Sequence, residues 1–437
     1  MASTILNRTP SSTGNRKKWT LSMWIKNSNL KGQGGSSYQR LYQADNDNEY
    51  FRFTESTGKL LWLTNNGSSG GFLTTRVFRD SNCWYHLVLR IDTTLGTAGD
   101  RSRLYVNGVE ETAFDTENQV AQDYDTYSNC ISKVMQFGGY STSDQNFNGC
   151  MSHVHMCDGY SYAPTEFGET DSTTGEWKIK TSPSVSYGTN GFFILKDGNS
   201  VTDQSGQSNN LTVSGTLTKT EDCPSNVFAT WNPLMPNSIT YSNGNTTCTQ
   251  TADANYRNAW TTIATPTTGK FYAEFKAVSG FSAINKAIGY IDISQTFDAD
   301  IHIEQYSIGG SYGSNGRASY NQTIDSSVPT FTDGDIIGLA LDLDNGKAYY
   351  HKNGTYINSG NPTTGSNGYT VTTGKQYTFS AIVINQGGAN VWSANFGNGY
   401  FGTTAVASAG TNASGIGIFE YDVPTGYTAL STKGLNE

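Results

Sequence analysis

The stretch Asp333 to Gly354, DGDIIGLALDLDNGKAYYHKNG, permits little other than antiparallel β structure. Ile337, Leu339, Leu341 and Leu343 alternate with Ile336, Gly338, Ala340 and Asp342, the period of two that places one set of side chains on one face of a strand. Asp344-Asn345-Gly346 follows, and Asn and Gly accept the positive φ that tight hairpin turns demand. A second strand over residues 347–352 and a second turn at Asn353-Gly354 lead into Thr355-Tyr356-Ile357, completing a meander. Arg103-Leu104-Tyr105-Val106-Asn107-Gly108-Val109 repeats the design upstream, so the chain reads as two all-β units.

Composition agrees. The chain has 437 residues, enough for two or three domains, with 35% apolar and only 15% charged residues. Its 26 Tyr, 20 Phe and 48 Gly favour sandwiches over helices. The net charge of −9 repels phosphate backbones, which speaks against nucleic acid as a partner. No apolar run is long enough for a membrane span, and the N-terminal MASTILNRTPSSTGNRKK lacks the apolar stretch of a secretion signal. The six cysteines, Cys83, Cys130, Cys150, Cys157, Cys223 and Cys248, have no framework spacing and read as free thiols.

Strands are expected at WTLSMWIK (19–26), 40–43, 49–54, 60–64, CWYHLVLRID (83–92), 103–109, 150–157 and 191–195. The order WTLSMWIK, WYHLVLRID, RLYVNGV and FNGCMSHVHMCDG resembles the laminin-G-like, concanavalin-A-like jelly roll, which is expected over residues 1–215. Residues 216–238 carry three prolines, Pro224, Pro233 and Pro236, with little alternation, and read as a linker or strap, with Trp231 pinning it to one domain.

The second unit is expected over residues 239–400. Gly269-Lys270-Phe271-Tyr272-Ala273-Glu274-Phe275, the opening meander and the late Asn395-Phe396-Gly397 resemble the SPRY domain in residues and order. Further strands are expected at 287–291 and 377–384, a flexible loop at 309–316, and a tail over 401–437 with a short strand at 416–421. The fold class is therefore all-β: two tandem antiparallel β-sandwiches, jelly-roll lectin-like and then SPRY-like, joined by a Pro-containing strap. The pairing of these two domains, with FGETDSTTGEW, NVFATWNP and PTGYTAL, resembles a family of virion proteins of tailed bacteriophages, especially those of marine bacteria.

Catalytic patterns are missing. Glycanases of the laminarinase type on this fold need a Glu-x-Asp-x-x-Glu run that sets two carboxylates on one strand face; Glu169-Thr170-Asp171 begins it without a third acid. None of the five histidines lies near a nucleophile elbow. The catalytic set is read as empty. His153, His155 and Cys157, at i, i+2 and i+4, are weak zinc candidates on one strand face; no fourth ligand is identifiable, and packing explains them as well. Asp45 and Asp47, in the loop Ala44-Asp45-Asn46-Asp47-Asn48-Glu49, are the corresponding calcium candidates, although turn-forming residues explain the same letters. No other cofactor is expected.

Saccharides stack on aromatic faces flanked by amides or arginine. Tyr38 with Arg40, Tyr124 with Tyr127, and Tyr312 with Arg317 and Tyr320 are the clusters on offer, against the alternative that each is packing. SPRY domains bind partners through loops at one end of the sandwich, so the resemblance favours 310–320. The resemblance to phage virion proteins implies a non-enzymatic virion structural protein at the particle surface, made in the host cytoplasm: a head decoration, knob or fibre-associated component. Its partners would be other capsid or tail proteins and cell-surface glycans, in multiple copies, with no membrane or nucleic acid. The alternatives are a tail-fibre receptor-binding lectin and a glycan depolymerase.

Overall fold

The computed structural model describes residues 4–28, 38–54, 57–141, 144–196, 198, 200–251, 255–281, 286–385 and 388–436. The chain divides into two units, residues 1–219 with 223–225, and residues 220–222 with 226–437. Among the described residues there is no α-helix, and each unit is an antiparallel β-sandwich.

In the first unit, a six-stranded sheet runs Phe192–Ile194, Gly149–Asp158, Lys18–Asn27, Tyr85–Asp92, Ser102–Val106, Val109–Glu110. An eight-stranded sheet runs Phe114–Asn118, Gly70–Thr74, Leu60–Thr64, Glu49–Phe53, Gln39–Ala44, Met135–Phe137, Ile5–Arg8, Thr212–Ser214. Alternation builds the core between them: Trp19, Leu21, Met23 and Ile25 from one central strand meet Leu41, Phe51 and Trp62 from the facing sheet. Burial of such side chains is worth roughly 1.5–3 kcal/mol each.

In the second unit, Lys270–Ser279 is central, paired with Ile336–Asp342 on one side and Asn390–Asn395 on the other. The meander is present as Ile336–Asp342, Lys347–Lys352 and Thr355–Tyr356. Ile337, Leu339, Leu341 and Leu343 enter the core as the alternation requires. The opposite face is also covered: Ala340 lies under Phe419, Val423 and Tyr427 from the C-terminal segment. Gly338 stands directly across from His351, and a Cβ there would overlap the imidazole. The second sheet is Arg257–Trp260, Tyr377–Val383, Ala287–Asp292, Gly309–Gly313, Arg317–Tyr320, Thr323–Asp325.

Two expectations change. Residues 309–313 form a strand rather than a loop; Gly310 stands opposite Tyr290, whose hydroxyl occupies the space a Cβ would need. Residues 416–421 contribute only an isolated bridge, Asn398 to Ile418; the strands of the tail are Thr404–Ala405, paired with Tyr400–Phe401, and Thr428–Ala429, parallel to Lys270–Ser279. Much of the expected 216–238 strap is built into the second unit: Phe228 bridges Ser431, and Trp231 is fully buried against Phe275 and Phe396 at 5.8 and 5.2 Å.

The C-terminal segment has few strands of its own, so its backbone N–H groups need other acceptors. Glu274 supplies them. Its buried carboxylate accepts from the amides of Glu420 and Tyr421, both at 2.8 Å, and from the Tyr272 hydroxyl at 3.0 Å. His351 Nδ1 accepts the Gly354 amide at 3.1 Å, which leaves the proton on Nε2, 2.6 Å from the Tyr272 oxygen. Burial holds His351 neutral, down to about 3. The first unit uses the same device: Glu49 accepts from the amides of Tyr127 and Ser128 at 2.7 and 3.0 Å and from the Ser128 hydroxyl.

Burial raises both carboxyls to about 7 from 4.5, against the lowering effect of their hydrogen bonds. The native state therefore holds protons that the unfolded chain has released, so this stability is full below about pH 4.5 and is lost as pH rises through 7. Thermal unfolding midpoints should fall between pH 5 and 8, with a contribution on the order of 3 kcal/mol from each group. Glu274→Gln should destabilise the second unit and flatten its pH dependence while leaving that of the first; a variant that keeps the wild-type slope would refute this account.

Candidate functional site

Between strands Ala287–Asp292 and Gly309–Gly313 the chain makes an excursion, ISQTFDADIHIEQYSI, over the outer face of its sheet. Its start is fixed by Asp292, which is buried, accepts from Ser294 N at 3.1 Å and Oγ at 2.7 Å, and pairs with Lys375 at 3.4 Å. Phe297 meets the edge of Trp260 at 5.1 Å, and Tyr306 is buried beside the same indole. Asn258 anchors the middle, donating to the carbonyls of Asp298 and Ile301 at 2.9 and 2.6 Å. His302 and Gln305 cap each other around a short 3-10 turn, Ile303–Gln305.

This framework leaves an open groove of about 570 Å³, within the range of small-ligand sites. Phe297, Ile301 and Tyr306 give it an apolar side, while Gln295, Gln305 and Gln322 bring amides and Thr296 and Ser307 bring hydroxyls. The polar ends are held in place: Ser307 Oγ donates to Gln295 Oε1 at 2.8 Å, and Gln322 Nε2 donates to the Gln305 carbonyl at 2.9 Å. Asp298 is the one acid among the lining residues, and its Oδ1 accepts from Asp300 N at 2.8 Å. The groove thus offers neutral donors and acceptors over an apolar surface, without a carboxylate pair or a nucleophile–base pair.

The sequence candidates fall elsewhere, some of them inside the protein. Tyr312 is fully buried; its hydroxyl donates to the Pro329 carbonyl at 2.6 Å, and its ring packs on Phe331. It is a core residue because its strand faces the sandwich interior. Arg317 is partly exposed, 3.7 Å from Glu304, and the Tyr320 ring lies 5.7 Å from that of Tyr369. These two stand on the hairpin whose turn supplies Gln322, so the sequence pointed to the neighbourhood but missed the 293–308 excursion. That excursion carries no motif; its one legible signal is Phe297 and Tyr306 interleaved with amides.

Tyr38 and Arg40 come together with three residues that were not anticipated, Tyr50, Arg52 and Tyr140. Arg40 is buried and paired with Asp47, so it is not displayed as a ligand contact. Asp45 pairs with Lys133 at 2.9 Å and accepts from Asn48 at 2.8 Å, while Glu49 of the same loop is buried as described above. Both calcium candidates therefore already face cationic side chains.

His153, His155 and Cys157 do not form a zinc face. The register breaks between Ser152 and His155, with His153 at φ 47°, so the regular alternation fails there. His155 is stacked on Phe193 at 3.9 Å and bonded through Nδ1 to the Tyr187 hydroxyl at 2.9 Å; burial pushes its pKa well down. Cys157 is buried among Val88, Tyr105, Phe167 and Phe193. Among the described residues no three His, Cys, Asp or Glu side chains are grouped as a metal site requires. None of the six cysteines is in a disulfide.

Residues 4–166 match a family model described as the concanavalin A-like lectin/glucanases superfamily. No curated protein matches the chain. Among solved structures, the SPRY domain of human HERC1 is 14% identical with a TM-score of 0.31, over 38% of this chain and 96% of that one. A human SPRY domain is 12% identical with a TM-score of 0.29, over 36% and 93%. A heptameric SAP-like pentraxin from Limulus polyphemus is 13% identical with a TM-score of 0.28, over 37% and 71%.

Tyr312→Phe should lower the stability of the second unit by about 1–2 kcal/mol, because it leaves the Pro329 carbonyl without its donor. Chemical denaturation measures this; an unchanged midpoint would contradict the buried role.

Proposed function

We propose that the chain is a non-catalytic recognition protein carried on the outside of a bacteriophage particle, and that the groove of its second unit holds a neutral saccharide. The observation that carries the ligand reading is the lining of that groove: three amides and two hydroxyls beside Phe297 and Tyr306, with a single carboxylate. Amides exchange hydrogen bonds with sugar hydroxyls in both directions, and aromatic faces accept the C–H side of the ring.

Two further features support a binding role over glycan cleavage. Hydrolysis needs a pair of carboxyl groups across the scissile bond, about 5–10 Å apart. The outer face of the first unit's six-stranded sheet is instead filled by Val88, Tyr105, Cys157, Phe167, Tyr187 and Phe193. The virion reading rests on the sequence resemblance, and the segments that carry it are structural: residues 168–170 and 177–179 pair as a hairpin, Trp231 is a core residue, and Thr428–Ala429 is the last strand. Capsid or tail proteins are the partners this reading implies.

Mass spectrometry of purified particles of the encoding virus should find the chain, and antibody-labelled electron microscopy should place it on the exterior. Its absence from the particles removes the virion reading. On a glycan array the purified chain should retain neutral oligosaccharides, with affinity reduced about tenfold or more by Phe297→Ala or Gln322→Ala. Retention that ignores both variants removes the groove as the site. Release of reducing ends from a retained glycan would favour a depolymerase.

A further inference from the structure

Among the described residues, three of the four large sheets have outer faces buried under segments of their own unit, as the clusters around Tyr272 and Phe419, Val88 and Phe167, and Trp260 and Tyr306 show. The eight-stranded sheet of the first unit differs. Its outer face carries an alternating stack of rings and guanidinium groups: Tyr140, Arg40, Tyr50, Arg52, Tyr38. The successive ring-to-guanidinium distances are 4.8, 4.5, 4.5 and 3.8 Å. Strand register creates it, because Arg40 stands directly opposite Arg52. Two like charges so placed repel, which is unfavourable to the extent that neighbouring groups do not compensate each of them.

The compensation is unequal. Arg40 has Asp47, and it donates to Gln43 Oε1 at 2.5 Å and to Gln145 Oε1 at 2.7 Å. Arg52 has no carboxylate partner among the described residues. Its hydrogen bond is to Gln145 Oε1 at 3.2 Å, shared with Arg40, and its Nε is buried without an acceptor. Burial, then Arg40, lowers its pKa, yet the residue remains partly exposed. A partly desolvated cation beside a second cation, with Asp47 acting on it only at longer range and no ion pair of its own among the described residues, favours an incoming anion.

We propose that Arg52, with Tyr38 and Gln145, is a binding site for the carboxylate of an acidic saccharide, a hexuronate unit. The guanidinium donates to the carboxylate, Tyr38 offers a ring to the C–H face of the sugar, and the Gln145 amide serves a hydroxyl. A saccharide fits this face better than an acidic peptide does. Extended peptides are held by pairing with an exposed sheet edge, whereas Gln39–Ala44 and Glu49–Phe53 are interior strands with neighbours on both sides. The site lies in the other unit from the neutral groove and does not depend on it.

The full chain is titrated by calorimetry with oligogalacturonate and oligoglucuronate, and with the methyl esters of both, which keep the rings and remove the charge. At least one acid form should bind, weakening with added salt. Esterification and Arg52→Gln should each weaken it about ten- to a hundredfold, and Arg52→Lys, which keeps the charge without the fork, should not restore it fully. Tyr38→Ala, at a partly exposed ring, gives a second variant should Arg52→Gln unfold; thermal unfolding reports on both. Gln322→Ala should leave uronate binding unchanged, which separates this site from the groove. Failure of every acid form to bind, equal binding of the esters, or binding indifferent to both variants overturns the proposal. Polyglutamate binding with the same Arg52 dependence overturns the saccharide assignment.

Discussion

An irregular segment can lie on a sheet only if its backbone amides find acceptors there, and in this protein a buried glutamate meets that requirement once in each unit. Glu274 receives the adjacent amides of Glu420 and Tyr421, and Glu49 those of Tyr127 and Ser128. A carboxylate is well suited to the task, since its two oxygens offer several lone pairs and no competing donor. The disadvantage is desolvation, which raises both groups to about 7 and makes the attachment sensitive to pH. Around Glu274 the donors extend inward through Tyr272 to His351, and Gly338 leaves room for that imidazole. The absence of a side chain in the middle of a strong strand thus has its origin in a hydrogen-bond network on the outer face.

The strands were legible because period-two burial is a local signal. Lys18–Asn27, Tyr85–Asp92, Lys270–Ser279 and the meander appear where alternation places them. What covers the outer faces was not legible, because a covering segment needs only to match a surface already formed by strands distant in the chain. The polar alternation of HVHMC suggested an exposed ligand face, yet His155 and Cys157 lie under Phe167, Tyr187 and Phe193. Gly309-Gly310 suggested a loop for a similar reason: the glycines make space for Tyr290, whose position only the sheet pairing reveals.

Candidate site residues were harder still. Tyrosine next to arginine in sequence names a chemistry without naming a side of the sheet. Tyr312 faces inward and joins Phe331 and Tyr350, while Tyr38 faces outward onto Arg52. Arg52 was invisible as a partner because the contact depends on the register between Gln39–Ala44 and Glu49–Phe53, which includes a bulge next to Arg40. That irregularity is not encoded by any turn residue in either strand.

Covering three outer faces also restricts where this protein can recognise anything. Residues that satisfy a neighbouring segment are unavailable to a ligand, so recognition is left to places where polar groups are held but not saturated. The groove beside Phe297 meets that condition through neutral amides, and the stack on the eight-stranded sheet meets it through one arginine. The two differ in charge, and the difference predicts different ligand chemistry on a single chain whose net charge is −9. An acidic surface disfavours anions over most of its area, so a local cation that makes no ion pair of its own among the described residues stands out against the field around it.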